Sequence, residues 1–251
     1  MKLLMDERWA PVTSATGFLE IAAEGAARGY AEWQRPLLEK RGITLALRPV
    51  EGPLELALGG LLPLTAPEPL RYMFFPTASR WTAWFTNAAG TSDAASPIAY
   101  MARTFKCRGL RVVAIPDSLG SGRDKEAKGR FGAVILELYG PEWTSLRNTL
   151  RYVSLVNDGG RWAFDVGGTP LPFEQTERYQ ARRVRERFTF EMLRDYLAHL
   201  GLRPFDEDFY LPHDGGPGWL VERQAPPAPG ASEHTLEEIQ RKLGIVNSPK
   251  A

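Results

Sequence analysis

The stretch LRYMFFPTASRWTAWFTN, residues 70–87, constrains the fold more than any other part of the chain. Its bulky residues alternate over two short runs, 70–76 and 80–87, joined by Thr77, Ala78 and Ser79. Period-two alternation marks a strand, so the stretch predicts a β-hairpin. Arg71, Met73 and Phe75 fall on one face of the first strand, with Tyr72 and Phe74 on the other. In the second strand Trp81, Ala83 and Phe85 oppose Thr82, Trp84 and Thr86. Bulk on both faces means either a strand covered on both sides or an apolar face kept for a partner.

Further strands are expected at 43–50, at LRVVAIP (110–116), at FGAVILELY (131–139), and at 149–156 and 161–166. The last two form a hairpin across Asn157-Asp158-Gly159-Gly160, whose residues tolerate the positive φ of a tight connection. A shorter strand is expected around Leu54 to Leu58, inside a Pro- and Gly-rich region.

Helices are expected at 14–40, 96–107, 173–187 and 189–200. Ser14 caps the first, which places Phe18, Ile21, Ala22, Gly25 and Ala26 on one face. Ser96 caps the second, Pro97 suits its first turn, and Ile98, Met101, Ala102 and Phe105 form its core stripe. The third is highly charged. The fourth is cleanly amphipathic, capped by Thr189 and stopped by Gly201 and Pro204. The strand, helix and strand order between 80 and 116 suggests a parallel crossover. Residues 208–211 read as a short extended piece before a Gly/Pro-rich segment.

These pieces imply an α+β fold, with a mainly antiparallel sheet from residues 43–166, helices packed on it, an N-terminal helix and a C-terminal helical segment. Residues 1–224 are expected to form one domain. Residues 225–251 are expected to be a Pro-rich linker, APPAPGAS, and a short helix that starts at a Thr235–Glu238 capping box.

Charge narrows the function. The 31 Lys and Arg residues balance 30 Asp and Glu, which makes a general polyanion binder, and so a nucleic-acid partner, unlikely. A single cysteine, Cys107, rules out an intrachain disulfide and a cysteine-based metal cluster. The first residues lack a long apolar run and no stretch approaches a membrane span, so a cytoplasmic protein without a membrane partner is expected. Richness in Ala, Arg, Gly and Pro suggests a bacterial source.

No intact catalytic signature is present. Gly120-Ser121-Gly122 follows a strand, but Lys125 stands where the third glycine of a dinucleotide fingerprint belongs. There is no GxxxxGK[ST], HExxH or GxSxG. His199, His213 and His234 are scattered, which argues against a histidine-based metal site. No metal or cofactor is therefore expected. Cys107 lies between Lys106 and Arg108, cations that would favour a thiolate, although a structural cysteine is the simpler reading. Glu137 and Asp165 would form a carboxylate pair only if their strands brought them together.

Two surfaces stand out as binding candidates. The loop after the aromatic hairpin brings Asn87, Thr91, Ser92 and Asp93 to a strand end, with Trp84 as an apolar wall. The same residues also suit plain turn and cap chemistry. The basic run Arg182, Arg183, Arg185 and Arg187 is either a solvated face with ion pairs or a strip that meets an acidic partner. Seven Trp and eight Tyr exceed what a small core needs, and such residues dominate interface energetics. The expectation is a non-catalytic protein-binding protein, such as an immunity protein for a secreted toxin or a secretion-system adaptor. The alternative is an enzyme acting on a nucleotide or other small molecule at the 87–93 loop.

Overall fold

Both faces of the aromatic hairpin are covered. The computed structural model describes residues 1–90, 94–119, 129–210, 216–224 and 230–245. Met73, Phe75, Ala83 and Phe85 enter one large core, and Tyr72, Phe74 and Trp84 enter a second core on the opposite face. The hydrophobic residues that suggested a spare apolar face are interior.

In chain order the elements are β1 (Ala15–Leu19), α1 (Ala23–Glu39), β2 (Thr44–Val50), α2 (Leu54–Gly59), β3 (Leu64–Ala66), β4 (Arg71–Pro76) and β5 (Thr82–Thr86). Then follow α3 (Ala95–Thr104), β6 (Gly109–Ile115), β7 (Ala133–Thr144), β8 (Arg147–Asp158), β9 (Arg161–Gly168) and α4 (Phe190–His199). The last are β10 (Gly218–Gln224), β11 (Ser232–His234) and α5 (Leu236–Lys242). Nine strands form one sheet in the order β2-β10-β4-β5-β1-β6-β7-β8-β9, and every ladder in it is antiparallel. The expected α+β, mainly antiparallel architecture is what the chain adopts.

Helices α1 and α3 cover one face; α2, α4 and α5 contribute to the larger core on the other. Ile98, Met101 and Ala102 of α3 are fully buried. Burial of side chains the size of Ile and Met stabilises by roughly 1.5–3 kcal/mol each. Two glycines let α3 sit close to the sheet. A Cβ on Gly17 of β1 would lie 2.5 Å from Ile98, and one on Gly109 of β6 would lie 2.8 Å from the same side chain.

Several local expectations are corrected. Residues 15–19 form a strand and not the start of a helix. All five are buried, so the strand shows no polar alternation and its pattern resembles a helical apolar run. Ser14 therefore caps nothing; α1 begins after Ala22, which has no side-chain cap. Residues 54–59 form a helix, because Leu54, Ala57 and Leu58 also satisfy i, i+3, i+4 spacing. The charged segment 173–187 holds two 3-10 turns, Thr176–Gln180 and Val184–Glu186, in place of an α-helix. It has no continuous apolar stripe to pack. Residues 207–210 form another 3-10 turn that buries Phe209 and Tyr210. The Gly/Pro-rich segment after it contains β10, which inserts between β2 and β4. β5 and β6 do run in one direction through α3, but β1 lies between them, so they are not a parallel pair.

The segment 169–189 is fastened to the large core by a buried ion pair. Arg151 of β8 donates to both carboxylate oxygens of Glu174, at 2.8 and 2.5 Å, and to the carbonyls of Gly167 and Gly168. Tyr179 donates to Glu174 at 2.9 Å, and the backbone N–H of Leu171 does so at 2.9 Å. A charge pair out of water survives only when its remaining lone pairs and protons are used, as here.

After the undescribed residues 225–229 the chain returns to the sheet body. β11 pairs with β3. The expected capping box is present, with Thr235 accepting from the Glu238 N–H and Glu238 accepting from the Thr235 N–H. Ile239 joins the large core, and Gln240 donates to the carbonyls of Arg8 and Ala10 at 2.8 and 3.1 Å. No described helix is long and apolar enough to cross a membrane.

Candidate functional site

Of the residues singled out around the first loop, Trp84 and Asn87 have structural work. Trp84 is 2% exposed. Asn87 is fully buried, and its side-chain oxygen accepts from the N–H groups of Leu70 and Arg71 at 2.8 and 2.9 Å. Its amide nitrogen donates to the Pro63 carbonyl at 2.9 Å. Asn87 thus ties the end of β5 to the 62–71 connection, and its amide is directed inward. Thr91, Ser92 and Asp93 lie outside the described residues.

The basic run lies across strand β9. Arg185 sits over the Trp162 ring at 4.7 Å and pairs with Asp117 at 3.5 Å. Arg187 sits over Phe164 at 5.9 Å and donates to the Ala181 carbonyl. Arg183 pairs with Glu186 at 3.1 Å, and Arg182 is exposed. Glu174 faces Arg151 and not Arg178.

The other candidates are also engaged. Burial pushes the Cys107 thiol up to about 11, so the neighbouring cations do not produce a thiolate. Glu137 accepts from Arg111 at 3.0 Å and from Tyr139 at 2.7 Å, while Asp165 accepts from Tyr152 at 3.1 Å. Strand β8 separates the two carboxylates. Phe173 stacks on His199 at 4.7 Å. Among the described residues no cluster of three metal-ligating side chains occurs.

A cleft of about 660 Å³ opens beside the first turn of α1, lined by Glu20, Arg80, Trp81 and Trp219 among others. Glu20 pairs there with Arg108 and Arg80. The Arg108 hydrogen bonds hold its carboxyl below the ordinary glutamate range. A carboxylate so held is a poor proton acceptor.

A surface missed by the sequence reading has a different character. On α3 the inward stripe leaves Tyr100 and Arg103 pointing out, three residues apart on one face. Strand β7 runs past its last buried residue to Trp143, which is 63% exposed. It is the one tryptophan so exposed among the described residues. The Arg103 guanidinium lies 4.6 Å from the Trp143 ring centroid and 5.6 Å from that of Tyr100. Tyr100 stacks on Trp33 of α1 at 4.1 Å and 21°. From Trp33 the ring contacts continue inward through Tyr30 and Tyr72 to Trp84. The outer aromatics are therefore backed by the core.

Asn148 fixes the hairpin to the helix. Buried at 6% exposure, it donates to the Ala99 carbonyl of α3 at 2.8 Å and to the Gly140 carbonyl at 3.0 Å. The turn beyond it holds Leu146, 40% exposed, and Arg147 at φ 65°. Between hairpin and helix lies a cleft of about 330 Å³ lined by Tyr100, Arg103, Tyr139, Trp143, Arg147 and Asn148 with small residues of α3. It offers ring faces and guanidinium donors.

Compared with protein-family models, with curated proteins and with solved structures, the chain finds no match.

Proposed function

We propose that the chain is a protein-binding protein and that its partner docks on the α3 and β7–β8 hairpin surface. One observation carries this reading: Trp143 stands 63% exposed on a hairpin that Asn148 bolts to α3. A large ring left in water, yet held in one place, is poised to bury area on association at little entropic cost. Leu146 and Leu150, 40% and 36% exposed on the same hairpin, add apolar area. An immunity protein for a secreted toxin and a secretion-system adaptor are both forms of this reading. The first requires a stoichiometric complex that blocks its partner's activity.

The test is affinity capture from the native cells with the wild-type chain and with Trp143→Ala in parallel. The reading expects a stoichiometric protein partner on the wild type and at least tenfold less on the variant, whose melting temperature falls by no more than about 4 °C. Equal recovery on both would overturn the assignment of this surface.

A further inference from the structure

We infer that the segment docking in the α3–hairpin cleft carries a carboxylate that sits between Arg103 and Arg147. The inference rests on the docking reading above and adds the chemistry of the partner. Three observations support it.

First, among the described residues the lining of the cleft contains two arginines and no Asp or Glu. Arginines elsewhere, such as Arg71, Arg108, Arg111, Arg130 and Arg151, have carboxylate partners. Among the described residues Arg103 and Arg147 have none, as is also true of Arg35, Arg48 and Arg194; what sets these two apart is that they line one cleft. The nearby pair of Lys106 and Glu142, at 3.5 Å, is already complete.

Second, Arg103 is held by its faces. Its guanidinium carbon lies within 6 Å of two ring centroids, Tyr100 and Trp143, and such contacts engage the cation without consuming its N–H donors. A guanidinium held by rings can still make two parallel hydrogen bonds to a carboxylate.

Third, Arg147 stands where turn chemistry does not want it. Its φ of 65° is a left-handed conformation that costs a side-chain-bearing residue about 1 kcal/mol and glycine almost nothing. The hairpin would close more easily with glycine, so the turn does not explain the arginine. A charge needed at the cleft mouth does.

A single-stranded nucleic acid also likes arginine beside aromatics, but it needs a track of cations along its backbone. The net charge is +1, and Glu142 flanks Trp143. An acidic protein segment with an apolar neighbour fits better: the apolar residue meets Trp143 and Leu146 while the carboxylate meets the arginines.

The experiment is selection of a random dodecapeptide phage library on the full chain. Clones that also bind Trp143→Ala are subtracted, and the survivors are synthesised. The expected peptides share an Asp or Glu next to an aromatic or aliphatic residue. Their affinity should fall at least tenfold in Arg103→Gln and in Arg147→Gln, and equally when the peptide's own acid becomes Gln or Asn. Combining the two changes should add no further loss. Melting temperatures of the variants guard against misfolding, and Arg103→Lys, which keeps the charge without the fork, should recover only part of the affinity. Surviving peptides that are neutral, or indifferent to both arginines, would overturn the carboxylate while leaving the docking surface in place. If no selected peptide depends on Trp143, the docking reading itself fails. If an oligo-dT 20-mer binds and loses tenfold in Arg103→Gln, a nucleic acid replaces the protein segment.

Discussion

The guanidinium carbon of Arg103 lies 4.6 Å from the centre of the Trp143 ring. The contact joins α3 to the β7–β8 hairpin at the surface, where a cation–π contact stabilises by about 0.5–1 kcal/mol. Trp143→Ala should therefore lower unfolding stability by no more than about 1 kcal/mol, read from urea denaturation. A larger loss would mean that Trp143 holds the fold together and is not spare surface.

Arg147 offers the opposite trade. Arg147→Gly relieves the φ of 65° and should raise stability by about 0.5–1 kcal/mol, allowing for the greater freedom of glycine in the unfolded chain. The same change should weaken partner binding. Stability and affinity moving in opposite directions, measured by urea melts and titration, would mark the position as functional.

The Arg151–Glu174 pair gives the sharpest stability test. The two side chains are 4% and 0% exposed. Glu174→Gln leaves a buried guanidinium without its counter-charge and should cost about 3–5 kcal/mol. The double variant Arg151→Met with Glu174→Leu should recover a large part of that loss, because neither charge then has to leave water.

Glu20 predicts a pH dependence with a definite sign. Its carboxyl titrates below the ordinary value of 4.5, chiefly because of the Arg108 hydrogen bonds. A lowered carboxylate contributes stability above the unfolded value, and loses it as the pH falls through the folded value. Glu20→Gln should be less stable than wild type by about 1 kcal/mol at pH 7. The gap should narrow as the pH falls below the ordinary value of 4.5 and close once the folded-state carboxyl is itself protonated. A gap constant across that range would show that Glu20 acts by shape alone.

Asn87→Ala removes the acceptor for the Leu70 and Arg71 N–H groups and the donor to Pro63. Buried groups left unpaired cost about 1–3 kcal/mol each, so a total loss of about 3 kcal/mol is expected from calorimetry or denaturant melts. Asn87→Asp should cost no less, since it keeps the acceptor for the two N–H groups but sets a buried carboxylate oxygen against the Pro63 carbonyl.

The hairpin at 71–86 was legible because aromatic strand formers crowd both sides of a short turn, and the 190–199 helix because its apolar stripe and Thr189 cap agree. Strand β1 was not, since burial on both faces erases alternation. Strand β10 was hidden behind Gly216 and Pro217, although Trp219, Leu220 and Val221 are good strand formers. The 169–189 segment defied the helix reading because single side chains, Glu174 and Tyr179, pin it to the sheet. Tyr100 and Arg103 could have been noticed as the outward pair of a helix whose inward stripe was recognised. Their meeting with Trp143, forty residues later, depends on how α3 settles on Gly17 and Gly109, which no local pattern encodes.

The place of β10 between β2 and β4 has a consequence for how the chain is made. As it emerges from a ribosome, the β6–β9 meander can zip up between neighbours in order. Strands β2 and β4 must instead wait with bare rims until residues 218–224 follow them out. During that interval each rim is a template for any passing strand, the hazard a chaperone exists to shield. Closure of that gap, long after β2 and β4 have been made, is what finally retires the risk.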